Sequence, residues 1–350
     1  MKALVAREWL FFLSLMLFVS TSLFIGSLPH YSQDEYQILF ILFTLFVVIE
    51  GLKRTRFLHA LAINMERLGL GAYALIVGTF LISFFVTNDV ALIIMVPLTL
   101  SMQITNRSWA VILEAIAANA AALLPYSTPQ NLYIYWHYHI PALQFMLTIA
   151  PFVFFFFLLT LLGVWWFDIR IQKSEIIPPA IHKKAYPYLF FFLLILGVIF
   201  NLLPLWLGGL VIFYALLLDT RSLRIDYFLL ATFYLFFGIA DNFTHIFASQ
   251  LHHPHHIFLL SIFLSQLMSN VPATLLLANF THEWQSLLWG VSVGGYGVLW
   301  GSLANLIAYR FYAKEFGNQE RFLQRFLLLN ILALLLGIAL FFSCYKFIIL

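Results

Sequence analysis

Long apolar runs, broken by short polar clusters, set the pattern of this chain. A membrane-crossing helix needs about 20 apolar residues, within a range of roughly 17–25. On that criterion nine stretches are expected to cross: 9–28, 37–52, 109–138, 142–167, 187–202, 204–218, 227–241, 286–309 and 326–346. Two more, 69–105 and 257–280, carry polar residues at mid-depth. These predict re-entrant hairpins that enter and leave on one side. Irregular backbone survives inside a bilayer only where protein or a wet cavity surrounds it. The segments Pro125-Tyr126-Ser127-Thr128-Pro129-Gln130 and Gly294-Gly295-Tyr296-Gly297 therefore predict breaks within 109–138 and 286–309.

Composition strengthens this picture. Apolar residues make up 63% of the 350 and charged residues 9%, with 39 Phe; an ordinary soluble domain has roughly 45–50% and about 25%. No soluble core of this size hides so much apolar surface, which excludes a soluble enzyme, a nucleic-acid binder and a disordered chain. Phe154, Phe155, Phe156, Phe157, Trp165 and Trp166 read as lipid-facing bulk and an interfacial belt. The single cysteine, Cys344, excludes a disulfide framework and a cysteine-ligated metal.

Charge sets the orientation. With the N-terminus in the cytoplasm, all of the eighteen Lys and Arg except Lys346 fall inside, as the positive-inside rule requires. The C-terminus is then periplasmic, in a bacterial inner membrane. Lys2 and Arg7 precede a first apolar run without a small-residue cleavage site, which is expected to be a retained span. The expected units are scaffold spans with a cytoplasmic interfacial helix (1–68), a transport unit (69–138), and a span with a cytoplasmic linker (139–186). A second set follows: scaffold spans with an outer interfacial segment (187–256), a second transport unit (257–309) and a final span (310–350).

The two transport units share motifs in the same order. The first hairpin tip reads Ser83-x-x-x-Thr87-Asn88-Asp89-Val90-Ala91 and the second Ser265-x-x-x-Ser269-Asn270-Val271-Pro272-Ala273. Downstream stand Thr128-x-x-Asn131-Leu132-x-x-Tyr135 and Ser302-x-x-Asn305-Leu306-x-x-Tyr309. The fold class expected is all-α and polytopic: two inverted-topology repeats, each with a re-entrant hairpin and a broken transmembrane helix.

Tips and breaks bring unpaired backbone groups to mid-membrane. Half-helix N-termini suit an anion, and half-helix C-termini suit Na⁺ or protonated water. The substrate- and ion-binding candidates are Ser83, Thr87, Asn88, Asp89, Asn119, Ser127, Thr128, Asn131, Ser265, Ser269, Asn270, Gly294, Gly295, Ser302 and Asn305. Asp89 is the proton-coupling candidate, because a charged Asp at a helix centre costs about 2.5–3.5 kcal/mol; it also suits a helix cap. Glu50 and Asp241 read as interfacial, and Glu114 as a structural residue within reach of the cytoplasmic surface. His252-His253-Pro254-His255-His256 reads as an exposed interfacial loop, with no metal site expected.

At these motifs the chain resembles the ion transporter superfamily of citrate, dicarboxylate, arsenite and sodium/proton carriers, most closely the bacterial anion-permease branch near the arsenite permeases. The residues that carry the resemblance are Thr87-Asn88-Asp89-Val90-Ala91-Leu92, Ala118-Asn119 through Pro129-Gln130-Asn131-Leu132, Ser269-Asn270-Val271-Pro272 and Gly301-Ser302-Leu303-Ala304-Asn305-Leu306. It implies a scaffold and an elevator-like transport domain, commonly in a homodimer. In the dicarboxylate branch the tips read Ser-Asn-Thr and hold sodium and a carboxylate. Here Asp89 and Val271 stand in place of the last threonine, which is closer to the arsenite-permease type, where proton coupling is expected. By this resemblance the chain is also expected to lack one or two of the family's N-terminal spans.

The expected function is secondary transport of a small anion or oxyanion across the lipid bilayer, coupled to H⁺ or Na⁺, with no other cofactor and no nucleic-acid partner. Arsenite export and sodium/proton antiport are the alternatives within transport. An intramembrane metalloenzyme built on the histidine run is the alternative from another class.

Overall fold

Apolar runs fold as helices because every backbone group is then satisfied within its own segment. The structure, a computed structural model, describes residues 8–67, 69–173, 177–246, 253–317 and 320–349. Over these residues the architecture is all-α, with several apolar helices suited to a multi-pass membrane protein. Lys2, Arg7 and His252 lie outside the described residues.

Helix α1 (Trp9–Ile25) ends where Gly26 turns left-handed (φ 79°) and donates to the Ser22 carbonyl. Helix α2 (Gln33–Arg54) opens on a capping box: the Ser32 hydroxyl accepts from Glu35 N–H, and the Glu35 carboxylate accepts from Ser32 N–H. Asp34 and Glu35 at its start and Lys53 and Arg54 at its end match the helix dipole. A short helix α3 (Phe57–Glu66) follows, then α4 (Tyr73–Phe85) and α5 (Asn88–Ser101). The 109–138 run is two helices, α6 (Arg107–Ala120) and α7 (Pro129–His137), and the long α8 (Ala142–Trp166) follows. A small antiparallel ribbon, Gln103–Ile104 with Ile171–Lys173, ties the entrance of α6 to the end of α8.

In the second half come α9 (Ala185–Ile199), α10 (Gly209–Leu218), α11 (Tyr227–Ile246), α12 (Pro254–Met268) and α13 (Asn270–Ala278). The 286–309 run divides into α14 (Trp284–Gly294) and α15 (Leu303–Phe316), and α16 (Glu320–Ile349) closes the chain. Among the described residues, Gln33–Arg54, Ala142–Trp166, Tyr227–Ile246 and Glu320–Cys344 are long and apolar enough to cross a membrane.

Packing pairs α1 with α11 and α2 with α9. Asn242 on α11 donates to the Thr21 and Ser22 hydroxyls of α1 at 2.9 and 3.0 Å. Gly51 lets α2 approach the Tyr188 ring of α9 so closely that a β-carbon there would collide with it. Helices α12 and α14 also meet through small residues. A β-carbon on Gly290 or Gly294 would lie 2.6 Å from that of Ser261 or Ser265. The short helices pair across the halves: α5 lies against α15, and α7 against α13.

Two expectations are corrected. Phe156 is fully buried against Tyr296, while Phe154, Trp165 and Trp166 are exposed. Successive helical residues turn by about 100°, so a run of four Phe cannot share one face. The histidine run is not a loop throughout, because Pro254 starts α12 at its first position and carries His255 and His256 into the helix.

Candidate functional site

Both broken helices use the same device to satisfy the gap. Helix α6 stops at Ala120; Pro125 and Pro129 supply no N–H, and Pro129 then opens α7. Thr128 caps α7 by accepting from Asn131 N–H at 3.3 Å. The Asn131 side chain reaches back and donates to the stranded carbonyl of Ala122 at 2.9 Å. In the second half, Asn305 sits at the same third position of α15 and donates to the carbonyl of Gly295 at 2.9 Å. Gln266 from α12 braces this gap further. Its amide donates to the Gly294 and Tyr296 carbonyls at 2.7 and 3.0 Å and accepts from Val298 N–H at 3.0 Å. Gly297, at φ 99°, is needed because a side chain would strike Gln266.

Short connections join α4 to α5 and α12 to α13. Thr87 is extended before α5. Ser269 makes the whole turn before α13, at φ 76° and ψ 155°, a conformation that non-glycine residues rarely hold.

The helix starts and the breaks meet at Asn119, one residue before α6 ends. Its Oδ1 accepts from Asn88 Nδ2 at 3.1 Å and from the Ser302 hydroxyl at 2.9 Å. Its Nδ2 donates to Asn305 Oδ1 at 2.8 Å. Asn270 approaches from the other start; a β-carbon on Gly295 would lie 3.2 Å from its Nδ2 and 3.8 Å from Asn119 Oδ1. Beside this network lies a cavity of about 120 Å³. Its wall is mostly apolar, and Asn88, Asp89, Gln130, Ser269, Asn270 and Ser302 supply polar groups to it, all buried except Asp89, which is half-buried. Asp89 Oδ1 is shielded and has no hydrogen-bond partner. The exposed Asp226 and Arg310 also line the cavity.

The remaining candidates sit off the cavity wall. Ser83, Ser127 and Ser265 each donate to a carbonyl three or four residues earlier. Thr87 is buried beside the first tip, Thr128 and Asn131 satisfy the first gap, and Gly294 and Gly295 provide close approach. Glu114 does not reach the surface. It is fully buried, accepts from the Thr99 hydroxyl at 2.5 Å, and leaves Oε2 without a partner. Helices α4 and α5 both pack on α6 and close off that side. Glu8, Gln130, Gln266, Asp226 and Arg310 complete the site and were not among the expected residues. Only Gln130, next to Pro129 in the break, had a local signal.

A family model described as citrate transporter (CitMHS) matches residues 3–289. An uncharacterized transporter of Methanocaldococcus jannaschii is 32% identical over 297 residues, covering 79% of this chain and 81% of its own length. The inner membrane protein YbiR of Escherichia coli is 34% identical over 294 residues, covering 75% of this chain and 74% of its own.

Proposed function

The chain belongs to the citrate transporter family, and from that membership we propose that this membrane transporter carries a small anion or oxyanion by secondary active transport coupled to H⁺ or Na⁺. The observation that carries the reading is the meeting of two helix starts and two helix breaks around Asn119, beside a largely apolar cavity into which a few polar side chains converge. The N-termini of α5, α13 and α15 bring backbone N–H groups to this region, which favours negative charge. Arg310 adds a cation to the cavity lining, and an exposed cation there draws anions inward.

Helices α4–α5 and α12–α13 are the two re-entrant hairpins in this reading, and the halves are inverted repeats. The exchanged pairing of α5 with α15 and of α7 with α13 supports that view, as does the matched use of Asn131 and Asn305. Residues 69–138 and 257–309 move as the transport unit against a scaffold, in an inner membrane with the N-terminus inside, and two copies form the working assembly. Asp89, with an unpartnered oxygen in the cavity wall, carries the coupling proton or helps hold a coupling cation.

Sodium/proton antiport is the second reading, favoured by the three carboxylates, Glu8, Asp89 and Asp226, that share the cavity. Proteoliposomes under imposed pH and sodium gradients decide between them. Uptake of carboxylates or oxyanions driven by either gradient is the expected result. Exchange of Na⁺ for H⁺ without any added anion would replace the anion reading with the antiporter.

A further inference from the structure

Away from the central cavity, the ends of three helices enclose a second cavity of about 450 Å³. Its wall includes Arg54 at the end of α2, His182 and Lys184 before α9, and Asp219 and Arg221 after α10. Hydrogen bonds tie these three chain segments together. His182 N–H donates to the Thr55 carbonyl at 3.1 Å, Lys184 Nζ donates to the Leu218 carbonyl at 2.9 Å, and the Tyr188 hydroxyl donates to Asp219 Oδ2 at 2.9 Å. The pocket is therefore built by the fold.

Its free groups are mostly donors. Arg54 Nε is buried and has no hydrogen-bond partner. His182 Nδ1 accepts from Lys184 N–H at 3.1 Å, so a neutral ring carries its proton on Nε2, as a donor. Lys184 uses one of its three ammonium hydrogens on Leu218, and the Arg221 guanidinium adds a planar fork. The one acid in the lining, Asp219, has Oδ2 occupied by Tyr188, and its single negative charge is outnumbered by the cations of Arg54, Lys184 and Arg221.

We propose that this pocket binds a phosphate group, carried by an anionic lipid or free in solution, with Arg54 and Arg221 as its principal ligands. A planar guanidinium matches phosphate oxygens two at a time. Leu217 and Leu218, also in the lining, are 64% and 62% exposed, so the pocket opens beside a strongly apolar surface. A basic pocket between helices at a membrane surface is suited to a phospholipid headgroup.

The test uses the full-length purified chain, stripped of lipid in detergent, with native mass spectrometry as the readout. The probes are phosphatidylglycerol, diacylglycerol as the uncharged control, and inorganic phosphate. Phosphatidylglycerol is expected to stay bound where diacylglycerol does not, and Arg54→Gln and Arg221→Gln each weaken it by about tenfold, one charge-assisted contact's worth. If inorganic phosphate binds with the same dependence on both arginines and the lipid shows none, the site stands with free phosphate as its source. Arg221 is exposed, so its variant keeps the test open if Arg54→Gln unfolds. Equal retention of phosphatidylglycerol and diacylglycerol, with phosphate binding unchanged in both variants, overturns the proposal.

Discussion

The side-chain amide of Asn119 donates to Oδ1 of Asn305 at 2.8 Å, across 186 residues of chain. Asn119 is buried, and each hydrogen bond of its side chain joins a helix start or a helix break. Asn119→Ala strands Asn88, Ser302 and Asn305, at about 1–3 kcal/mol for each buried group left unpaired. The expected outcome is a lower midpoint of thermal unfolding in detergent, with transport in proteoliposomes reduced by about tenfold or more, equivalent to about 1.4 kcal/mol in the barrier. Unchanged uptake would show that the network does not organise the site.

Asp89→Asn keeps the shape of the side chain and removes its ionisable proton. Its Oδ1 has no partner to lose, so folding is expected to survive. In the proposed mechanism, flux through the wild-type protein follows an imposed pH gradient and flux through the variant does not. Persisting proton coupling in Asp89→Asn would move that role to another group.

Gly290→Ala places a methyl group 2.6 Å from the Ser261 β-carbon and 2.7 Å from the Phe258 carbonyl. The carbonyl is backbone and cannot swing aside, so α12 and α14 must separate, at about 1–3 kcal/mol. Gly209→Ala is the control, because nothing lies within 4 Å of a β-carbon there; it is expected to be neutral or to stabilise by about 0.4–1 kcal/mol. Unfolding curves of the two variants should separate in that order.

Ser269→Gly should stabilise the protein. The native φ of 76° with ψ of 155° belongs to glycine, and a non-glycine residue there stores about 1–3 kcal/mol. The expected variant has a higher unfolding midpoint and slower transport, since a strained turn facing the cavity is lost along with its hydroxyl. A lower midpoint would mean that the serine hydroxyl contributes more than the strain costs.

The chemistry of single residues was readable in the chain, and the contacts between distant ones were not. Pro125, Pro129, Gly295 and Gly297 announce the two breaks, since a residue without N–H or with free φ interrupts a helix wherever it falls. Asn119 stood out as an amide in an alanine-rich run, but its partner Asn305 lies in the other half. Gln266 carried no local sign of its role, because the carbonyls it braces belong to Gly294 and Tyr296. Arg310 counts in the sequence only among the basic residues that set orientation, and folding brings it and Asp226 into the cavity lining. Glu114 was read as a side chain near the surface, whereas tertiary packing of α4 and α5 on α6 encloses it.

The exchange of partners between α5 and α15, and between α7 and α13, bears on how the protein is made. As the ribosome releases the first half, Asn119 has no Asn305 to meet, and α7 has no α13 to cover it. Those polar ends must be sheltered, by the insertion machinery or by one another, until synthesis delivers their counterparts. The last polar contacts of the fold therefore wait for residues late in the chain, and a first half made alone keeps Asn119 without its Asn305 and Ser302 partners.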